Sequence, residues 1–123
     1  MLMSVINREE LLFVGMSHEF VGEKHGVSIS FFLVNAPPRR GLKLHRHDYD
    51  EVIVVQEGRA TSVAGDEHRD VKAGDIIVIP AGTPHRFVNS GNTPPRQIDI
   101  HANPKFVTEW LDENSRQKNG KSN

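Results

Sequence analysis

The sequence predicts an all-β sandwich or barrel, on three observations. Short segments rich in β-branched and aromatic residues recur at 27–35, 52–56, 59–64, 75–79, 85–89 and 96–101. Turn chemistry separates them about every 8–12 residues: Pro37-Pro38, Glu57-Gly58, Ala64-Gly65-Asp66, Ala73-Gly74-Asp75, Pro80-Ala81-Gly82 and the run from Gly91 to Pro95. The longest apolar runs, Val52 to Val55 and Ile76 to Ile79, are strand-sized and far short of the ~20 residues of a membrane-spanning helix. With 123 residues, 37% of them hydrophobic, the chain has enough apolar content for one core.

The elements follow in chain order. Asn7 and Glu10 have capping-box spacing, whereas Leu11 to Met16 read as a strand, so two readings compete at the start. In 27–35 either Phe31 and Leu33 or Phe32 and Val34 face inward. Ile53 and Val55 share parity with Glu51, and Phe87 shares it with His85, so all three are expected to wall a cavity. On 96–101, Ile98 and Ile100 alternate with Gln97, Asp99 and His101, and either set fits an interior. A helix is expected next, lying against the barrel or a partner subunit. Asn103 suits its N-cap and Pro104 its first position, and Phe106, Val107, Trp110 and Leu111 form one stripe. Residues 1–114 are expected to form one domain and 115–123 a disordered tail.

Composition narrows the function classes. The absence of cysteine excludes disulfides, thiolate metal sites and cysteine nucleophiles. The net charge is −1, and the tail cations Arg116, Lys118 and Lys121 conceal a more acidic body. Such a balance argues against nucleic acid as a partner. The start carries no basic region and no small-residue cleavage site, so a cytoplasmic protein without membrane contact is expected.

Seven histidines stand in the chain. His18, His25 and His68 lie in polar, turn-rich surroundings and read as surface residues. His45 and His47 are spaced i, i+2 in an extended stretch, which sends both imidazoles to one face. Taken alone, the pair is weak evidence for a metal. Glu51 would lie ~13 Å along a straight strand, too far to share an ion. The turn-compatible Asp48-Tyr49-Asp50 allows the chain to fold back and bring it alongside. A carboxylate opening the apolar strand 52–55 needs a partner, because burying it alone is costly. His85 follows the rigid turn Pro80 to Pro84 and supplies a third imidazole. Three imidazoles and a carboxylate suit Fe, Mn, Ni, Cu, Co or Zn.

The spacing resembles a known family at this point. His45-Arg46-His47, three residues, Glu51, six residues and Gly58 resemble the first motif of the cupin superfamily. Gly74, five residues, Pro80 to His85, three residues and Asn89 match its second motif. One departure stands at Arg39, where that motif usually begins with glycine; the nearest glycine here is Gly41. The resemblance implies a double-stranded β-helix, a jelly-roll barrel of six to eight strands. It implies that His45, His47, Glu51 and His85 hold one divalent transition metal in its mouth. It also favours a homodimer, with the N-terminal strand or the Trp110 helix at the interface.

Two functions follow as expectations. One is a metal-dependent enzyme acting on a small oxygen-rich molecule, of dioxygenase, isomerase or decarboxylase type. In it Tyr49 stands near the cavity mouth, and Gln97 or His101 acts as acid or base. The other is a small-molecule sensor, since Gln97 to Leu111 resembles the end of the sensor domain of AraC-type regulators, here without a DNA-binding domain.

Overall fold

In the computed structural model, residues 2–37, 39–89 and 95–112 are described. The expected tail from residue 115 lies outside them. Among the described residues, eleven strands form two antiparallel sheets facing each other across the core, a jelly-roll barrel. One sheet has the order β1-β2-β3-β10-β5-β8. Its strands are β1 (Leu12–Val14), β2 (Ser17–Phe20), β3 (Ser30–Asn35), β10 (Arg96–His101), β5 (Glu51–Glu57) and β8 (Ile76–Ile79). The other has the order β11-β4-β9-β6-β7. It consists of β11 (Glu109–Trp110), β4 (His45–Arg46), β9 (His85–Val88), β6 (Arg59–Ala64) and β7 (Glu67–Lys72).

Both readings of the N-terminus hold, in succession. Asn7 caps a short 3-10 turn, Arg8–Glu10, with the complete capping box, and β1 follows one residue later. On β3 the inward set is Phe32 and Val34, which join Ala36, Ala60 and Phe87 in one apolar cluster. Ile53, Val55 and Ile79 form a second. On β10 the inward set is the polar one: Gln97, Asp99 and His101 are buried, and Ile98 and Ile100 face outward.

The expected helix over 103–111 is not formed, and the reason is tertiary. The Val107 N–H donates to Tyr49 Oη at 3.1 Å, and the Val107 carbonyl accepts from His47 Nδ1 at 2.9 Å. Glu109 and Trp110 pair with Arg46 and His45, and the Leu111 N–H donates to the Leu44 carbonyl. A helix needs those backbone groups for its own bonds. The apolar stripe is real, but Phe106 stacks on Phe32 at 4.0 Å rather than forming a helix face.

Two loop residues shape the site's surroundings. Arg39 has φ +63°, the left-handed region that glycine favours. The sequence departs from the family motif at a position whose backbone takes the glycine conformation, so the loop keeps its shape and carries the strain. Gly41 lies so close to β9 that a Cβ would stand 2.1 Å from the Phe87 carbonyl oxygen, which excludes any side chain.

Candidate metal centre

Four ligand-type side chains converge from three strands and a turn. His45 comes from β4, His85 from β9 opposite it, Glu51 from the start of β5, and His47 from the segment between. Asp48-Tyr49-Asp50 folds the chain back. The turn before His85 is tied to this reversal: the Gly82 N–H donates to the His47 carbonyl at 2.7 Å, and the Ala81 N–H to Asp50 Oδ1 at 2.9 Å. Gly82, at φ +82°, supplies the left-handed residue of that turn. One ligand atom from each of His45, His47, Glu51 and His85 lies within 4.8 Å of the others, and all four residues are buried.

The imidazole orientations are fixed from behind. Nδ1 of His45 bonds the Lys43 carbonyl at 2.8 Å, and Nδ1 of His85 bonds the Thr83 carbonyl at 2.8 Å. Nδ1 of His47 bonds the Val107 carbonyl at 2.9 Å. A carbonyl only accepts, so each Nδ1 carries a proton, and in the neutral rings the lone pair sits on Nε2. His85 Nε2 lies 2.9 Å and His47 Nε2 3.3 Å from Glu51 Oε1. The His47 contact is close enough for charge attraction but is not aligned as a hydrogen bond, and this buried Nε2 has no hydrogen-bond partner. Lone pairs of nitrogen and oxygen facing one another at such distances require a proton or a cation between them. The donor set, three imidazoles and a carboxylate with an orphaned nitrogen, fits a divalent transition metal.

Electrostatics agree. Burial, then the neighbouring His85, pushes His45 down to about 4. Burial pushes His47 down as well, but the Glu51 carboxylate and the Val107 carbonyl outweigh it and raise this imidazole. Burial alone would raise Glu51, yet His47 and His85 hold its carboxyl well below the usual range.

A fourth imidazole adjoins the cluster. Burial pushes His101 down to about 4, so it is neutral at pH 7. Its Nδ1 lies 2.7 Å from Tyr49 Oη, and its Nε2 lies 3.5 Å from Glu51 Oε2. Tyr49 Oη accepts from the Val107 N–H, which leaves the hydroxyl proton for His101 Nδ1. His101 thus holds the opposite tautomer from the other three, with its Nε2–H toward the outer oxygen of Glu51. Gln97 Nε2 donates to Asp99 Oδ1 at 2.8 Å. Burial, with the charge of Glu51, pushes the Asp99 carboxyl well above its usual range.

A cavity of about 320 Å³ opens onto this group. Phe87 lines it, as do Met16, Phe32, Leu42, Asp99 and Trp110. Ile53 and Val55 lie with Ile79 in the apolar cluster behind it, and Tyr49 is buried beneath the histidines. Gln97 is buried beside Asp99. Trp110 and Arg40 on the wall were missed by sequence reasoning. The helix reading placed Trp110 elsewhere, although its pairing with His45 brings it over the site. No sequence signal marked Arg40. The other motif residues are structural: Asp75 Oδ2 accepts from the Lys72 N–H, and Asn89 Nδ2 donates to the Pro37 carbonyl.

Comparison with known proteins agrees with this architecture. The Cupin domain family matches residues 32–101, more than half of the chain, and the chain belongs to that family. A Methanocaldococcus jannaschii protein, uncharacterized, is 42% identical over 52 residues, which is 42% of this chain and 42% of that one. An uncharacterized protein of Acanthamoeba polyphaga mimivirus is 33% identical over 87 residues, covering 55% of this chain and 54% of its own. The chain thus spans about half the length of these curated relatives.

Solved structures show the same fold. Lactobacillus farciminis oxalate decarboxylase, in a formate complex, superposes with a TM-score of 0.73 at 22% identity, over 84% of this chain and 34% of that one. Bacillus subtilis oxalate decarboxylase, which has Mn(II) centres, gives 0.70 at 20%, over 82% and 29%. A Klebsiella pneumoniae protein with a double-stranded β-helix domain gives 0.73 at 18%, over 89% and 97%. Among the described residues, no helix is long and apolar enough to cross a membrane.

Proposed function

We propose that this cupin is a metal-dependent enzyme acting on a small oxygen-rich molecule, with one divalent transition metal held by His45, His47, Glu51 and His85. One observation carries the reading. Three imidazoles are each anchored through Nδ1 to a backbone carbonyl, which turns their Nε2 atoms toward one buried carboxylate. Carbonyl anchoring of this kind orients metal ligands and fixes their tautomer. Bound there, the ion would supply Lewis-acid polarisation of a substrate oxygen, or redox chemistry with O₂ if the metal is redox-active.

The chain's own residues supply the rest. Phe32, Phe87, Leu42 and Trp110 line the cavity and would surround the body of the ligand. Arg40, exposed on the wall, offers a guanidinium to a carboxylate of the substrate. His101 is the acid–base candidate: it holds a proton at Nε2 and is supported by the Tyr49 hydroxyl at Nδ1. Gln97 acts indirectly, by fixing Asp99, whose carboxyl faces the cavity. The oxalate-handling neighbours support trying short carboxylic acids first.

The test is turnover of oxalate and related short carboxylic acids, with O₂ uptake followed in parallel, by protein loaded separately with Mn, Fe, Co, Ni, Cu or Zn. Turnover that His45→Ala and Glu51→Ala both abolish, with far-UV circular dichroism unchanged, is the expected result. Turnover unaffected by either substitution overturns the reading. Tight binding of a small molecule with no turnover under any metal selects the sensor function instead.

A further inference from the structure

Asp99 and Gln97 are polar side chains set into an apolar stretch of the inner wall. Register places Asp99 beside Phe32 on β3 and Ile53 on β5, and Gln97 beside Val34 and Val55. All four of these neighbours pack into the apolar clusters of the core. An apolar residue at 99 would continue that wall, whereas a carboxyl there is costly to bury. Asp99 is 2% exposed and lines the cavity that opens onto His45, His47, Glu51 and His85. Gln97 Nε2 donates to its Oδ1 at 2.8 Å. Among the described residues that is the one hydrogen bond of the Asp99 side chain, and no lysine or arginine pairs with it. Gln97 thus orients the carboxyl and leaves its second oxygen, Oδ2, without a protein partner.

From this placement we propose that Asp99 is a second anchor for the substrate, bonding a hydroxyl group of a hydroxylated short-chain carboxylic acid whose other end is held at the His45, His47, Glu51 and His85 centre. Gln97 is the positioning residue of that anchor. The inference rests on the reading of that centre as a metal-dependent active site, and deepens it by naming the substrate class. Three observations select a hydroxylated acid. First, register sets His101 opposite Glu51 and Asp99 opposite Ile53, so Asp99 stands two residues, ~7 Å, along the wall from the level of Glu51. A chain of a few carbons spans that step, and the cavity of about 320 Å³ admits it, with Met16, Phe32 and Phe87 against its carbon atoms.

Second, Arg40 lines the same cavity, so the anionic end of the molecule has a guanidinium as well as the ligand centre to meet it. A second carboxylate at Asp99 would face a carboxyl with no cation beside it. Third, a hydroxyl both donates and accepts, so it satisfies Oδ2 whether Asp99 is ionised or protonated. An ammonium would need the ionised form, which burial and the charge of Glu51 oppose. Oxalate, whose ionised oxygens only accept, offers Asp99 no donor.

Titration of the full chain with butyrate, 3-hydroxybutyrate and 4-hydroxybutyrate tests it, followed by amide ¹H–¹⁵N shifts with and without Zn²⁺. In both hydroxylated acids the hydroxyl stands away from the carboxylate. The readout is the ratio of the Kd for butyrate to that of the tighter hydroxylated acid. Wild type should prefer the hydroxylated acid by about tenfold or more. Asp99→Leu, similar in size and without a polar atom, should bring the ratio to about one, with Zn²⁺ uptake unchanged and butyrate bound at least as well. Asp99→Asn keeps an acceptor and a donor and should retain most of the preference. Gln97→Leu should lower it severalfold by freeing the carboxyl, and it carries the test if circular dichroism shows Asp99→Leu to be unfolded. A wild type that binds neither hydroxylated acid better than butyrate overturns the inference. So does a preference that survives intact in the folded Asp99→Leu variant or, in its place, in Gln97→Leu. Absence of Zn²⁺ uptake would count against the metal centre instead, because the ratio is read in either state.

Discussion

The six-stranded sheet carries a polar patch among the apolar residues of its inner face and apolar rows on its outer face. Its inner face carries Glu51, Gln97, Asp99 and His101, all at least 97% buried, while Val52, Val54, Ile98 and Ile100 on the same strands point outward. The five-stranded sheet keeps the usual order: its outer side carries Arg46 paired with Glu109 and Thr61 with Asp70, and its inner side carries Phe87 and Ala60. Burying four polar groups in one wall is costly unless each is paired. Here the pairs are Glu51 with imidazoles, Gln97 with Asp99, and His101 with Tyr49. An interior polar wall with an orphaned nitrogen suits a ligand.

The largest test of the inner face is acid titration of the metal-free protein. His45 and His101 are held at about 4 when folded, against an ordinary value of 6.5. Between those values the unfolded chain takes up protons that the folded chain refuses, so stability falls as pH drops from 6.5 toward 4. The depressed Glu51 adds to the loss once pH passes below the usual carboxylate range. His47 and Asp99 are raised, so each contributes stability at low pH that is lost as pH rises through its folded value. The two lowered imidazoles outnumber the one opposing carboxyl, so a net loss on the order of a few kcal/mol is expected. Urea unfolding at pH 7.5, 5.5 and 4.5 measures it. A flat profile would mean that the inner wall is not buried as described.

Tyr49→Phe should have an intermediate effect. It removes the donor to His101 Nδ1 and the acceptor for the Val107 N–H, at a cost of about 1–3 kcal/mol in unfolding free energy. It should also free the His101 tautomer, visible as a change in the ¹⁵N shifts of that ring. Asp99→Asn should have the smallest effect. An amide keeps the acceptor for Gln97 and removes a carboxyl whose ionisation burial opposes, so stability at pH 7.5 should be unchanged or rise by about 1 kcal/mol. A marked loss would mean that Asp99 is ionised and paired.

Much of the site was legible before the fold was known, because it rests on local spacing and on the resemblance of two short motifs to a known family. The i, i+2 pair His45 and His47, the turn before Glu51 and the rigid turn before His85 are local features. What sequence left open depends on tertiary pairing. Alternation on 96–101 gives two sets but not their direction, and the inward set here is polar because Glu51 and Tyr49 await it across the strand. The segment 103–111 has helix chemistry at both its cap and its stripe. Its backbone bonds go instead to Tyr49, His47 and Leu44, which no local pattern announces. Strand β7 escaped notice because nearly all its side chains are exposed and polar.

The central claim is that His45, His47, Glu51 and His85 form one metal site. Elemental analysis of untagged protein, purified without chelator and then reconstituted with Mn, Fe, Co, Ni, Cu or Zn, tests it directly. The account predicts one metal ion per chain for at least one of these, reduced at least a hundredfold in affinity in Glu51→Ala and released as pH falls below ~6, where imidazoles protonate. No uptake of any of the six, or full retention in Glu51→Ala and His45→Ala, would contradict it.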